Sequence, residues 1–285
     1  MTDIPARSFA LPDLRVVRVD GLVPHERHDQ HRMGPLTARL RSQGILRNPP
    51  VVTPLRHSGE ERYVVLDGAN RTAAARASGL LHLVVQVVRY EEPDVRLLTW
   101  NHALVGETAR SVLDLLTSVS GVTCSRETLP HARAMVARRE TLAFVAVPEA
   151  DAVAISAPGD FAERNRTLNR IVETYRERTR VFRVGSDSLD HARERIPDAE
   201  ALVVFPRFMP AEVLELASTG EQLPAGITRH LVAWRALRVN LPLDYLADPE
   251  PSVEEKQGWL RSWMRERLDH GHVRFYEEST VLFDE

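Results

Sequence analysis

The stretch from Val64 to Gly79, VVLDGANRTAAARASG, constrains this chain more than any other segment. A short β-branched apolar run stops at Asp67-Gly68. An Ala-rich helical pattern opens at once, with Asn70 and Arg71 in its first turn and Gly79 just past its end. A strand that turns sharply into a helix exposes the first helical N–H groups, and these attract anions. A carboxylate (Asp67), an amide (Asn70) and a guanidinium (Arg71) stand at that mouth. Such groups hold a metal-bound phosphate, the carboxylate serving the cation and the guanidinium and backbone N–H groups the oxygens. The same residues also make a plain tight turn with a capping Asp, so the motif alone leaves both readings open.

A chain of 285 residues has room for one large domain or two ordinary ones. Its apolar fraction of 43% and charged fraction of 27% are those of a soluble globular protein. A formal net charge of −3 gives no global pull toward DNA or an anionic membrane, though it is compatible with a local basic patch. The single Cys124 excludes an internal disulfide framework and suits a reducing compartment. The first residues lack the pattern of a signal peptide, and no apolar run approaches the roughly 18 residues that span a bilayer. The expectation is a cytoplasmic protein with no membrane partner.

Strand and helix patterns recur throughout, so the expected class is α/β (α+β). Residues 14–23 read as a strand running into a loop, and 35–43 as a short helix begun by Pro35 and stopped by Gly44. Two strands follow at 50–55 and 62–66, then the Asp67 turn with its helix, then a strand at 82–90. Helices are expected at 109–118, 126–139, 160–178 and 210–218, and strands at 141–147, 152–156, 181–184 and 201–205. Asp160 with Glu163, and Ser252 with Glu255, are capping-box spacings. After the second of these, Trp259 and Trp263 fall on the apolar face of a helix ended by Gly271, a core pattern. The segment 273–283 reads as a closing hairpin.

Four polar clusters could carry chemistry. PHERHDQHR (24–32) holds His25, Glu26, His28, Asp29 and His31, but irregular spacing and the absence of Cys favour a solvated loop over a metal site. Within it, Glu26 follows an apolar run at a Pro-marked exit, where a carboxylate can face a cleft as a general base or simply face water. Asn48 precedes two prolines and is therefore stiff and extended. In TWNH (99–102), Trp100 can wall a pocket while Asn101 and His102 supply hydrogen bonds. In GITRHLVAWRALRVN (226–240), Thr228, Arg229 and His230 open a strand-like stretch, and Arg229 can clamp a carboxylate or phosphate.

Taken together, VPHE, NPPVV, LDGANR, VQVV, TWNH and GITRH resemble the free L-serine kinases built on the ParB/sulfiredoxin-like fold. The resemblance is clearest over residues 14–105 and returns at 226–243. It implies a ParB/sulfiredoxin-like nucleotide- and phosphate-binding domain over 1–106, and a second mixed α/β domain over 107–285 that completes the substrate cleft. It also implies Mg²⁺-dependent phosphoryl transfer from ATP or ADP to the hydroxyl of free L-serine, giving O-phospho-L-serine. By motif, Glu26 would accept the hydroxyl proton and Asp67 would place Mg²⁺ or orient the hydroxyl. Asn48, Gly68, Ala69, Asn70, Arg71 and Thr72 would cradle the nucleotide phosphates, and Trp100, Asn101, His102, Thr228, Arg229 and His230 would hold the amino acid or its phosphate. Where that family usually carries His before the Arg of DG-x-x-R, this chain has Asn70, which can hydrogen-bond phosphate but carries no charge.

Two other activities occur on the same fold. Sulfiredoxin chemistry needs a Cys where this chain has Ala69. A ParB-like nucleotide-binding regulatory or DNA-binding protein without kinase activity is the alternative, though no helix-turn-helix is apparent and the Arg-rich segment 164–180 is interleaved with acids.

Overall fold

The computed structural model describes residues 11–27, 30–57, 60–148 and 150–276. Five strands form a first sheet: β1 (Leu14–Arg18), β2 (Leu22–Pro24), β4 (Val51–His57), β5 (Glu60–Asp67) and β6 (His82–Val87), in the order β1-β6-β4-β5-β2. The β4–β6 and β2–β5 pairs are parallel and the others antiparallel. A second sheet is antiparallel throughout, in the order β12-β8-β13-β10-β11-β9. It comprises β8 (Asn101–Val105), β9 (Thr123–Glu127), β10 (Ala143–Val147), β11 (Ala150–Ser156), β12 (Arg180–Val184) and β13 (Ala201–Val204). Two short ribbons join distant segments: β3 (Ile45–Leu46) with β15 (Leu241–Pro242), and β7 (Val95–Thr99) with β14 (Thr228–Val232).

The two-residue repeat of the strands sets the layering. In β5, Val64 and Leu66 enter a core shared with Leu104, Ala143, Val145 and Val147 of the second sheet, whereas Tyr63 and Val65 enter a core on the opposite face. In β8 and β10 the alternate residues Ala103, Phe144 and Ala146 face a third cluster. The central core is roofed by α3 (Ala109–Thr117), α5 (Phe161–Arg176) and α7 (Pro210–Thr219). The outer face of the first sheet is covered by α2 (Ala69–Ala77), α8 (Asp244–Ala247), α9 (Val253–Asp269) and Leu40 of α1 (Gln30–Gln43). The helices α4 (Leu129–Ala137) and α6 (Leu189–Arg193) flank the third cluster. Residue 106 therefore falls one residue past a strand of the second sheet, and α9 returns to the first.

Both expected capping boxes form, Asp160 with Glu163 and Ser252 with Glu255. Trp259 and Trp263 pack against the outer core. Three expectations need correcting. The helix expected from Pro35 begins at Gln30. The helix expected from 126 begins at Leu129, because Thr128 caps it and 123–127 pair with β11 as β9. Residues 273–276 are irregular, and the remainder of the expected hairpin lies outside the described residues, as do His28, Asp29 and the side chain of His31.

The chain's one lysine, Lys256, is fully buried on α9. Its ammonium donates to the carbonyls of Leu246 (3.1 Å) and Asp248 (2.5 Å) at the end of α8 and to Nδ1 of His82 (3.0 Å). Three donors meet three acceptors, so the buried charge is satisfied and ties α9 to the first sheet.

Candidate active site

The strands β2 and β5 run parallel with Pro24 opposite Val65. Two residues further on, Glu26 lies just past β2 and Asp67 ends β5, at the same end of the sheet. Crevices beyond the carboxyl ends of parallel strands are where open α/β sheets bind ligands.

Asp67 sits in an arginine pair. Its Oδ2 accepts from Arg71 at 3.0 Å and from Arg235. Arg71 also donates to the carbonyl of Asn48 (2.7 Å), and the Asn48 side-chain oxygen accepts from the Arg238 amide (2.7 Å). Gly68 precedes α2 at φ +92°, and a Cβ there would lie 3.1 Å from Cα of Pro50 and about as near the Arg71 guanidinium. Only glycine fits that turn without strain. No side chain caps α2, so Asp67 is not the simple cap that its position allows. Ala69 and Asn70 form the partly exposed first turn. Thr72 differs: it is buried, and its hydroxyl donates to the Gly68 carbonyl.

Glu26 is held from the far end of the chain. Its Oε2 accepts from the Gly226 amide (2.8 Å), and its Oε1 from the Thr228 amide (2.6 Å) and hydroxyl (2.5 Å). A carboxylate has about four acceptor positions; three are filled, and the fourth is on Oε2. Gly226 takes φ +80°, with the Arg183 guanidinium where a Cβ would stand.

Arg229 lies over the Trp100 ring, 4.3 Å from its centre, beside Gly185. Its guanidinium makes no hydrogen bond or ion pair among the described residues. Asn101 and His102, expected against the substrate, are instead buried and bonded internally. Asn101 accepts from the Phe205 amide and donates to the Ser186 carbonyl. His102 lies between the Tyr175 hydroxyl (2.5 Å) and the Gly226 carbonyl (3.0 Å), and burial pushes its imidazole down to about 3. A neutral ring donating to Gly226 satisfies both contacts. His102 thus braces the same glycine whose amide holds Glu26. His230 pairs with the Tyr90 hydroxyl (2.7 Å), and burial, then the neighbouring His25, pushes it well below the ordinary imidazole range.

Sequence reasoning missed Arg235. The signal lies in the backbone: Trp234, Arg238 and Asn240 all have positive φ, which non-glycine residues adopt only where surroundings impose it. Gln86 imposes part of it, donating to the Trp234 carbonyl and accepting from the Ala236 amide.

Among the described residues no group of three or more His, Cys, Asp or Glu side chains could hold a metal ion. Oδ1 of Asp67 has no protein partner among them, whereas Oδ2 is taken by two arginines. The site therefore fits a divalent ion that arrives on phosphate oxygens, as Mg²⁺ usually does, better than one bound by protein alone. No helix among the described residues is long and apolar enough to cross a membrane.

A glycine-turned helix start flanked by arginines is an arrangement suited to binding phosphate. No protein-family model matches the chain. It is 26% identical over 236 residues to an ATP-dependent L-serine kinase of Staphylothermus marinus, covering 81% of this chain and 90% of that protein. It is 24% identical over 246 residues to the ADP-dependent L-serine kinase SerK of Thermococcus kodakarensis, covering 86% and 96%. A free serine kinase in complex with AMP superposes with a TM-score of 0.71 at 19% identity, covering 83% of this chain and 95% of that one, a match of fold. Over most of its length the chain is thus similar to free L-serine kinases in sequence and in fold.

Proposed function

We propose that this protein transfers a phosphoryl group from ATP or ADP to the hydroxyl of free L-serine, giving O-phospho-L-serine. The observation that carries this reading is that Glu26 and Asp67 each lie two residues beyond the Pro24–Val65 pair of the parallel strands β2 and β5, so that a base and a phosphate cradle arise at the same end of the sheet. The nucleotide phosphates lie at the start of α2, against the amides after Gly68, with Asn70, Arg71, Asn48 and Arg235 around them. Asp67 would help hold a phosphate-bound Mg²⁺, which would supply charge neutralisation there. Arg229 takes the serine carboxylate and Trp100 walls its side.

The serine hydroxyl donates to the remaining acceptor position on Oε2 of Glu26. As the hydroxyl oxygen bonds to phosphorus, the bond from phosphorus to the nucleotide's bridging oxygen breaks. Glu26 takes the proton, and the nucleotide leaves with the bonding electrons, its charge met by the helix start and arginines. Thr228 and His102 act from behind, Thr228 by holding Glu26 and His102 by bracing Gly226. Little else is required of the protein, because phosphoryl transfer depends mainly on positioning and charge neutralisation.

Incubation of the protein with Mg²⁺, L-serine and ATP or ADP, read by mass spectrometry, tests the reading. Phosphoserine formation supports it. Absence of phosphoserine, together with a salt-dependent shift of duplex DNA, would favour the regulatory alternative.

A further inference from the structure

Behind Glu26 stands a chain of short contacts whose protons can be counted. His25 is buried, with Nδ1 bonded to the carbonyl of Val65 and Nε2 2.7 Å from the Thr228 hydroxyl oxygen. That oxygen is in turn 2.5 Å from Oε1 of Glu26. A carbonyl oxygen has no proton, so Nδ1 must carry one and donate it. Two further contacts remain, Nε2 to Oγ1 and Oγ1 to Oε1, and each needs a proton between its atoms. The Thr228 hydroxyl supplies only one. The second resides on His25 or on Glu26.

A protonated Glu26 could not serve as a base, so the active form carries the extra proton on the ring. We propose that His25 is a positioning residue for Glu26, acting as an imidazolium that donates to Thr228 while Thr228 donates to the carboxylate. The relay occupies Oε1 and leaves Oε2 turned to the acceptor hydroxyl. This inference rests on the reading of Glu26 as the base, but its first test does not.

The other titratable groups around the ring among the described residues suit a cation there. The His230 ring stands edge-on at 5.1 Å from His25, and burial, the larger cause, pushes it well below the ordinary imidazole range, so it stays neutral. Tyr90, bonded to His230, is pushed up by burial and then by the Glu26 charge, so it too stays neutral. Glu26 is the ion-pair partner of His25 among the described residues, its Oε1 3.9 Å from Nε2. Register explains the placement: Pro24 pairs with Val65, so the next residue meets the Val65 carbonyl across the parallel strands.

Nitrogen-15 spectra of histidine-labelled protein at neutral pH read the ring directly, whether or not the protein turns out to be a kinase. The expected result is a His25 with both nitrogens protonated, reverting to one protonated nitrogen in Glu26→Gln. A singly protonated His25 in the native protein overturns the proposal. Kinetics supply the second arm. His25→Asn and Thr228→Val should lower kcat on the order of 10-fold or more, with KM for serine and nucleotide little changed, while Thr228→Ser, which keeps the hydroxyl, restores the rate. Native kcat in both His25→Asn and Thr228→Val would also overturn it.

Discussion

Glu26 stands two residues past the end of β2 and Asp67 ends β5, its parallel neighbour, yet each is held by a different distant segment. Backbone and hydroxyl groups of Gly226 and Thr228 grip the first. Arg71 and Arg235 grip the second. The segment 226–235 therefore supplies partners to both carboxylates, and the candidate site exists only when the chain has folded back on its first hundred residues.

The phosphate cradle depends on a conformation that only glycine adopts cheaply. In Gly68→Ala, the left-handed backbone costs about 1–2 kcal/mol, and the new methyl meets Pro50 and Arg71. Nucleotide affinity should fall about 10-fold or more by calorimetric titration, whereas the far-UV spectrum stays native.

Arg229 stacks on Trp100 without an ion-pair partner among the described residues. A charge-assisted bond to a carboxylate contributes about 1.5–3 kcal/mol, so Arg229→Met should raise KM for serine roughly 10- to 100-fold and leave nucleotide binding near native. Steady-state kinetics with each substrate varied in turn measure this.

Acid should weaken the fold through its buried imidazoles. His102 is pushed down to about 3, and His230 well below its ordinary value, both chiefly by burial. Unfolding restores values near 6.5, so below that pH the unfolded chain binds more protons. Stability then falls as pH drops from about 6.5 toward 3, at up to about 1.4 kcal/mol per pH unit for each ring. Urea titrations between pH 7 and 5 should show this slope, and His102→Gln should remove one ring's share of it.

Lys256→Met should destabilise the fold by about 3 kcal/mol, because it strands the buried carbonyl of Leu246 and the part-buried carbonyl of Asp248. The same burial protects the amine: acylating reagents should leave Lys256 unmodified in native protein and label it once urea unfolds the chain. Intact-mass analysis checks both states.

Local signals in the sequence translated well. The change from strand to helix at Asp67-Gly68 lies within a dozen residues, and both capping boxes are three-residue patterns, so each is readable from neighbours alone. What depended on remote partners was not readable. Val95 pairs with Val232, so β7 exists through a contact more than a hundred residues away. Asn101 and His102 have the polar character of a site, but their partners lie at 175, 186, 205 and 226, and burial makes them supports. Arg235 was hidden in a segment already marked for Thr228 and Arg229. Its approach to Asp67 depends on a loop shaped by Gln86, itself buried in the first sheet.

The role of Glu26 is tested most directly by single-turnover phosphoserine formation in the native protein and in Glu26→Gln, with nucleotide affinity measured alongside. The account predicts a rate at least ~100-fold lower in the variant, the low end for loss of a general base, with nucleotide affinity essentially unchanged. A variant that forms phosphoserine at the native rate would contradict it.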